Sequence, residues 1–188
     1  MTKQKVIAAL VCGTVMGIAA AAEQAPQVNE ARGLVKEFFS SLKGQLQAAM
    51  QAGGPVKAIE VCNVQAPAIA QGLADQSGWE VARTSLRLRN PSNQPDGWES
   101  GVLEQFDVRQ RAGEDPQKME FSEVVEVGGV KSFRYMKAIP TGEICLKCHG
   151  DQIAAEVQAQ LNQYYPGDKA TGYALGDIRG AFTLSKKL

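Results

Sequence analysis

Histidine is all but missing from this 188-residue chain, and His149 is the one that occurs. A histidine-rich metal centre is thereby excluded, and so is an iron held by two histidines of one chain. Charge of one sign is also lacking, because 20 Lys and Arg balance 20 Asp and Glu. No basic stripe of the kind that binds nucleic acid or an anionic membrane is expected. Long apolar runs are confined to the start, where Val6 to Ala20 follows Lys3 and Lys5 and ends in Ala20-Ala21-Ala22. That stretch is short and rich in Ala and Gly, so it reads as a cleaved signal peptide over residues 1–22 rather than a membrane span. No stable membrane insertion is expected, and a periplasmic destination is. Residues 23–188 remain, long enough for one domain with a core, and the loss of Lys3 and Lys5 moves the formal charge from 0 to −2.

Cysteine is scarce as well. Cys12 leaves with the leader, so three remain: Cys62, Cys145 and Cys148. Two of them stand in Cys145-Leu146-Lys147-Cys148-His149, the attachment signature of haem c. The spacing follows from the chemistry. Two thiols three residues apart add across the two vinyl groups of one porphyrin, and the adjoining histidine supplies the proximal nitrogen. A redox disulfide and a zinc site built from Cys62, Cys145, Cys148 and His149 are the competing readings. Cys148 and His149, as chain neighbours, suit one zinc tetrahedron poorly, and the exported context favours one covalent haem c. With no second histidine, the sixth iron ligand is left to Cys62, to Met50, Met119 or Met136, to a Lys or Tyr, or to water.

Periodicity fills in the rest. Apolar residues from Ala31 to Ala49 recur at three and four, which predicts a long helix over Pro26 to Gln51, ended by Gly53-Gly54-Pro55. A second helix is expected from Val56 to Leu73 with Cys62 on its apolar stripe, and Pro67 should disturb it one turn beyond Cys62. On position alone Cys62 is equally well a small buried hydrophobe. Trp79 to Arg89 alternates like a strand and puts Arg83, Arg87 and Arg89 on one face. There they either clamp haem propionates or form a solvated face. A helix from Trp98 to Arg111 should precede a hairpin of Met119 to Val127 and Val130 to Ile139 turning at Gly128-Gly129. After the haem motif come a helix capped by Asp151 and a last strand, Gly180 to Lys187. The order predicts an α+β domain with an antiparallel sheet of four or five strands flanked by helices.

Several stretches together resemble a known family. They are Ala58-Ile59-Glu60-Val61-Cys62, the run Arg83 to Pro91, Asn93 to Glu99, the haem motif, and Tyr165 to Gly172. The chain is similar over nearly its whole mature length to a bacterial domain family of unknown function, typified by a cyanobacterial c-type haem protein. The resemblance implies a PAS-like fold and an iron held by a histidine and a cysteine, which carry over to His149 and Cys62. It also implies sensing, since related domains form the sensory part of membrane signalling proteins. Two functions are therefore expected in competition. One is a periplasmic sensor of redox state or of a gas such as NO or CO, working with an unidentified signalling partner. The other is an electron-transfer cytochrome with an unidentified redox partner. An enzyme is not expected, because no second catalytic constellation occurs and a fold alone would not establish one.

Overall fold

A computed structural model describes residues 16–188, with side chains from residue 26 onward. Most of the expected leader, including Lys3, Lys5 and Cys12, lies outside the described residues. The first helix, α1 (Met16–Glu60), starts earlier than the expected Pro26. Ala19 to Ala22 are strong helix formers and carry the helix ahead of that proline. As the sequence predicts, the regular helix is broken at Gly53 and Gly54, whose backbones are non-helical. A π turn (Val61–Gln65) then leads into α2 (Ala66–Ser77). Pro67 accounts for that irregularity, since it offers no N–H to the carbonyl one turn back and its ring crowds it. The turn therefore encloses Cys62 itself.

The four strands β1 (Glu80–Thr84), β2 (Glu120–Val127), β3 (Val130–Pro140) and β4 (Ile178–Lys187) form one antiparallel sheet in the order β1-β4-β3-β2. Gly128 and Gly129 make the predicted hairpin turn with φ of +59° and +80°, as the mirror-image turn between twisted strands requires. β1 is shorter than the strand expected over Trp79 to Arg89. Its ladder to β4 ends at Thr84 opposite Ala181, and the chain beyond finds other partners: Ser85 Oγ donates to the Arg179 carbonyl and Lys169 N–H to that of Leu88. Arg83, Arg87 and Arg89 accordingly do not share one strand face.

One face of the sheet packs under α1 and α2, with Phe38, Trp79, Phe133, Tyr135, Phe182 and Leu184 in a single cluster. Tyr135 donates to Glu120, which also receives Arg32 of α1, so the helix is pinned across the hairpin. The other face packs against α3 (Gly97–Arg111), where Val102, Leu103 and Phe106 meet Met119, Met136 and Ala181. Asp96 caps α3 and Glu99 returns the bond, which fixes where the helix starts. A short 3₁₀ turn (Glu143–Cys145) and α4 (Leu146–His149) carry the haem motif. The following helix, α5 (Ala155–Tyr164), starts after Ala154 with no side-chain cap, and Asp151 does not cap it, because residues 151–154 run on irregularly before the helix begins. That detour lets Ile153 join a third cluster formed by Ile59, Val157, Leu161 and Tyr165 against Cys148.

Candidate functional site

Helical geometry across α4 sets Cys145 and Cys148 one turn apart on a common side, with His149 next along. The three cysteines Cys62, Cys145 and Cys148 are free thiols, each half-buried. They line one cleft together with His149. Leu42, Leu46 and Met50 of α1 form one wall of it, continuing the helix stripe whose earlier part fills the sheet core. The cavity measures ≈ 130 Å³; with the open mouth counted, ≈ 910 Å³ free of protein atoms lies between the walls.

Orientation of the imidazole is the best-defined feature. His149 Nδ1 lies 2.7 Å from the Ala170 carbonyl oxygen. A carbonyl only accepts, so Nδ1 carries the proton and the neutral ring keeps its lone pair on Nε2. Burial holds the imidazole well below its usual pKa, and the Arg179 and Arg89 charges push the same way, against the Ala170 hydrogen bond. Nε2 faces Arg89 Nη1 at 3.4 Å, and an iron bound by this nitrogen would replace that contact. Burial also pushes the Cys148 thiol up, partly offset by Arg89.

The segment from Asp168 to Tyr173 acts as a strap over the motif. Arg89 pairs with Asp168 at 2.8 Å and donates to the carbonyls of Cys148 (2.5 Å) and Ala170 (3.2 Å). Asp168 in turn accepts from the Ala170 N–H, and Tyr173 N–H donates to the His149 carbonyl. Arg87 donates to the carbonyls of Lys169 and Thr171 and stacks over Tyr173, whose ring stands edge-on to His149 at 6.2 Å.

Of the arginines picked out from the sequence, Arg83 and Arg89 line the cleft, whereas Arg87 holds the strap. Arg83 is lowered to about 10, chiefly by burial and then by Arg179, while Cys62 and Tyr165 pull it up. Arg179 was not legible, because it stands one residue outside the strand expected from Gly180. It lines the cleft, and its buried Nε has no hydrogen-bond partner. The Ala170 carbonyl was equally invisible, since any residue type supplies one.

The rival sixth ligands separate in space. Met119 and Met136 are fully buried in the α3 cluster, while Met50 and Cys62 line the cleft. Among the described residues, no group of three or more His, Cys, Asp and Glu side chains is arranged to hold a metal ion by itself. The donor set instead fits a haem. Cys145 and Cys148 would supply the two thiols that add to its vinyl groups, His149 would offer a ring nitrogen to its iron, and Leu42, Leu46 and Ile59 would lie against its ring.

No curated protein matches the chain. Among solved structures, the crystal structure of the cyanobacterial heme-protein Tll0287 superposes with a TM-score of 0.67. The match is 22% identical and covers 87% of this chain and 96% of that one. The helices and the four-stranded antiparallel sheet described above are therefore a shared fold. The model of the Tll0287-like family matches residues 16–186, and the chain belongs to that family.

Proposed function

We propose that this protein is an exported, PAS-like carrier of one haem c, with His149 and Cys62 as the iron ligands, which senses redox state or a small gas such as NO or CO. One observation carries the reading: both motif thiols, a neutral Nε2 fixed by the Ala170 carbonyl, and Cys62 meet in one cleft. The relative of the same fold is itself a heme-protein. When bound, the haem supplies an iron that cycles between Fe(III) and Fe(II). The chain's own residues decide what that iron does. Cys145 and Cys148 hold the ring by thioethers, and Ala170 orients His149. Cys62 as a thiolate favours Fe(III), which places the potential well below that of a His/Met site. A π turn is a common seat for functional residues, because it turns a side chain out of the regular helical register. Protonation of Cys62 would make it a weaker donor and free a position for a gas.

Electron transfer is the second reading, favoured by Met50, which lines the cleft beside Cys62 and offers a thioether in its place. Optical and spin-resonance spectra of Cys62→Ser and Met50→Leu, in both oxidation states and with CO, separate the possibilities. The expectation is a changed ferric spectrum and a raised potential in Cys62→Ser alone, with CO binding on reduction of the wild type. A wild-type spectrum in Cys62→Ser and a changed one in Met50→Leu would reassign the ligand. A six-coordinate iron that refuses CO in both states would favour electron transfer. Colour removed from denatured protein by acid–acetone would sink the thioether claim.

A further inference from the structure

A second cavity of ≈ 470 Å³ shares Arg179 with the cleft just described. It lies between the chain leaving β1, the last turns of α3 and the start of β4. Its size is within the range of about 300–1,000 Å³ typical of small-molecule sites. The charges around it are Arg87, Arg111 and Arg179 against Asp107 and Asp177, an excess of positive charge. Arg87 is held by the strap carbonyls and Asp177 accepts from the Ala174 N–H at 2.7 Å. Burial raises the Asp107 carboxyl, against the charge of Arg111. Gln110 is spent on the backbone of Gly176 and Ile178. Arg179 keeps a buried Nε–H with nothing to bond. An orphaned buried donor of a charged group costs free energy unless an acceptor arrives. The floor is apolar: Leu103 and Ile178 are buried there, and Leu86 stands at the edge.

We propose that this second cavity binds a small organic carboxylate, its anionic end on Arg179 and Arg111 and its carbon skeleton on Leu103 and Ile178. Guanidinium groups recognise a carboxylate by paired, charge-assisted hydrogen bonds. The apolar floor selects against a bare inorganic anion, which could not use it. The site does not depend on the iron ligands assigned above, so binding is read directly and not through the haem.

The test is calorimetric titration of the haem-loaded protein with acetate, succinate and citrate, and with succinamide and inorganic phosphate as controls. At least one carboxylate should bind saturably at one site with a Kd of about 1 mM or tighter. Arg179→Gln should weaken it tenfold or more. Because Arg179 also lines the haem cleft, Leu86→Trp provides an independent arm. Leu86 is 44% exposed and belongs to none of the buried clusters, so the substitution spares the core, and the indole should fill the cavity and weaken binding as much. No saturable carboxylate binding overturns the proposal. So does equal binding of phosphate or succinamide, and so does an unchanged affinity in Leu86→Trp.

Discussion

Replacing Arg89 by glutamine should unfasten the strap that aims His149. The side chains of Arg89 and Asp168 are 12% and 5% exposed, so this is a buried pair and not a surface one. Glutamine leaves the Asp168 carboxylate with the Ala170 N–H and no cation, and leaves the Cys148 carbonyl without its donor. Breaking a buried pair from one side costs about 3–5 kcal/mol, because an uncompensated charge stays behind. For a domain of this length each kcal/mol is roughly 2–4 °C in Tm, so a fall of about 6–20 °C is expected. Arg89→Gln with Asp168→Asn removes both charges and should recover much of the loss, giving a coupling that additive effects cannot produce. Guanidinium and thermal unfolding of the four proteins, followed by circular dichroism, supply the cycle. The ferric spectrum of Arg89→Gln should also broaden as the imidazole loses its fixed orientation. A stability loss under about 1 kcal/mol, the size of an exposed pair, would refute the reasoning and mean that water already reaches Asp168.

Three further outcomes are expected. Gly180→Ala should cost about 1–3 kcal/mol in urea unfolding, because Gly180 has φ of +151° and a Cβ there would meet the Thr84 carbonyl at 2.4 Å; a neutral substitution would show that β1 and β4 part easily. Asp96→Ala should cost about 0.5–2 kcal/mol through loss of the α3 cap, and Asp96→Ser should restore most of it; equal stability of both variants would contradict the capping role. The Arg32 and Tyr135 hydrogen bonds hold the Glu120 carboxyl below its usual 4.5 despite partial burial. The unfolded chain therefore takes up this proton first on acidification, and the stability is full above pH 4.5 and lost as pH falls below it. Glu120→Gln should flatten that part of the acid limb in unfolding midpoints measured against pH, and an unaltered limb would remove Glu120 from the account.

Elements with a strong period were legible from the chain alone. α1 and its break at Gly53-Gly54 follow from apolar spacing and glycine, and the β2–β3 hairpin from alternation around Gly128-Gly129. The meeting of Cys145, Cys148 and His149 at one cleft was legible because they stand within five residues of chain. What escaped was set by tertiary pairing. Alternation continues through Arg89, but β1 stops at Thr84 opposite Ala181 although β4 runs on to Ile178, because Ser85 turns its hydroxyl to the Arg179 carbonyl instead of extending the ladder. The role of the strap escaped for a related reason. It works through the carbonyls of Ala170 and His149, and backbone groups leave no mark in a sequence. Asp151 illustrates the converse: a good capping residue goes unused where the chain must first deliver Ile153 to its cluster.

The π turn at Val61–Gln65 has a mechanical side. A wider turn puts the helix before it and the helix after it out of phase, by about 100° for each residue gained. Ile59, before the slip, belongs to the cluster with Val157 and Leu161; Ile69 and Leu73, after it, belong to the sheet core. A regular helix would have to carry both sets as one rigid rod. With the phase broken at Cys62, each stretch follows its own partner, and the thiol stands where the chain changes from one cluster to the other.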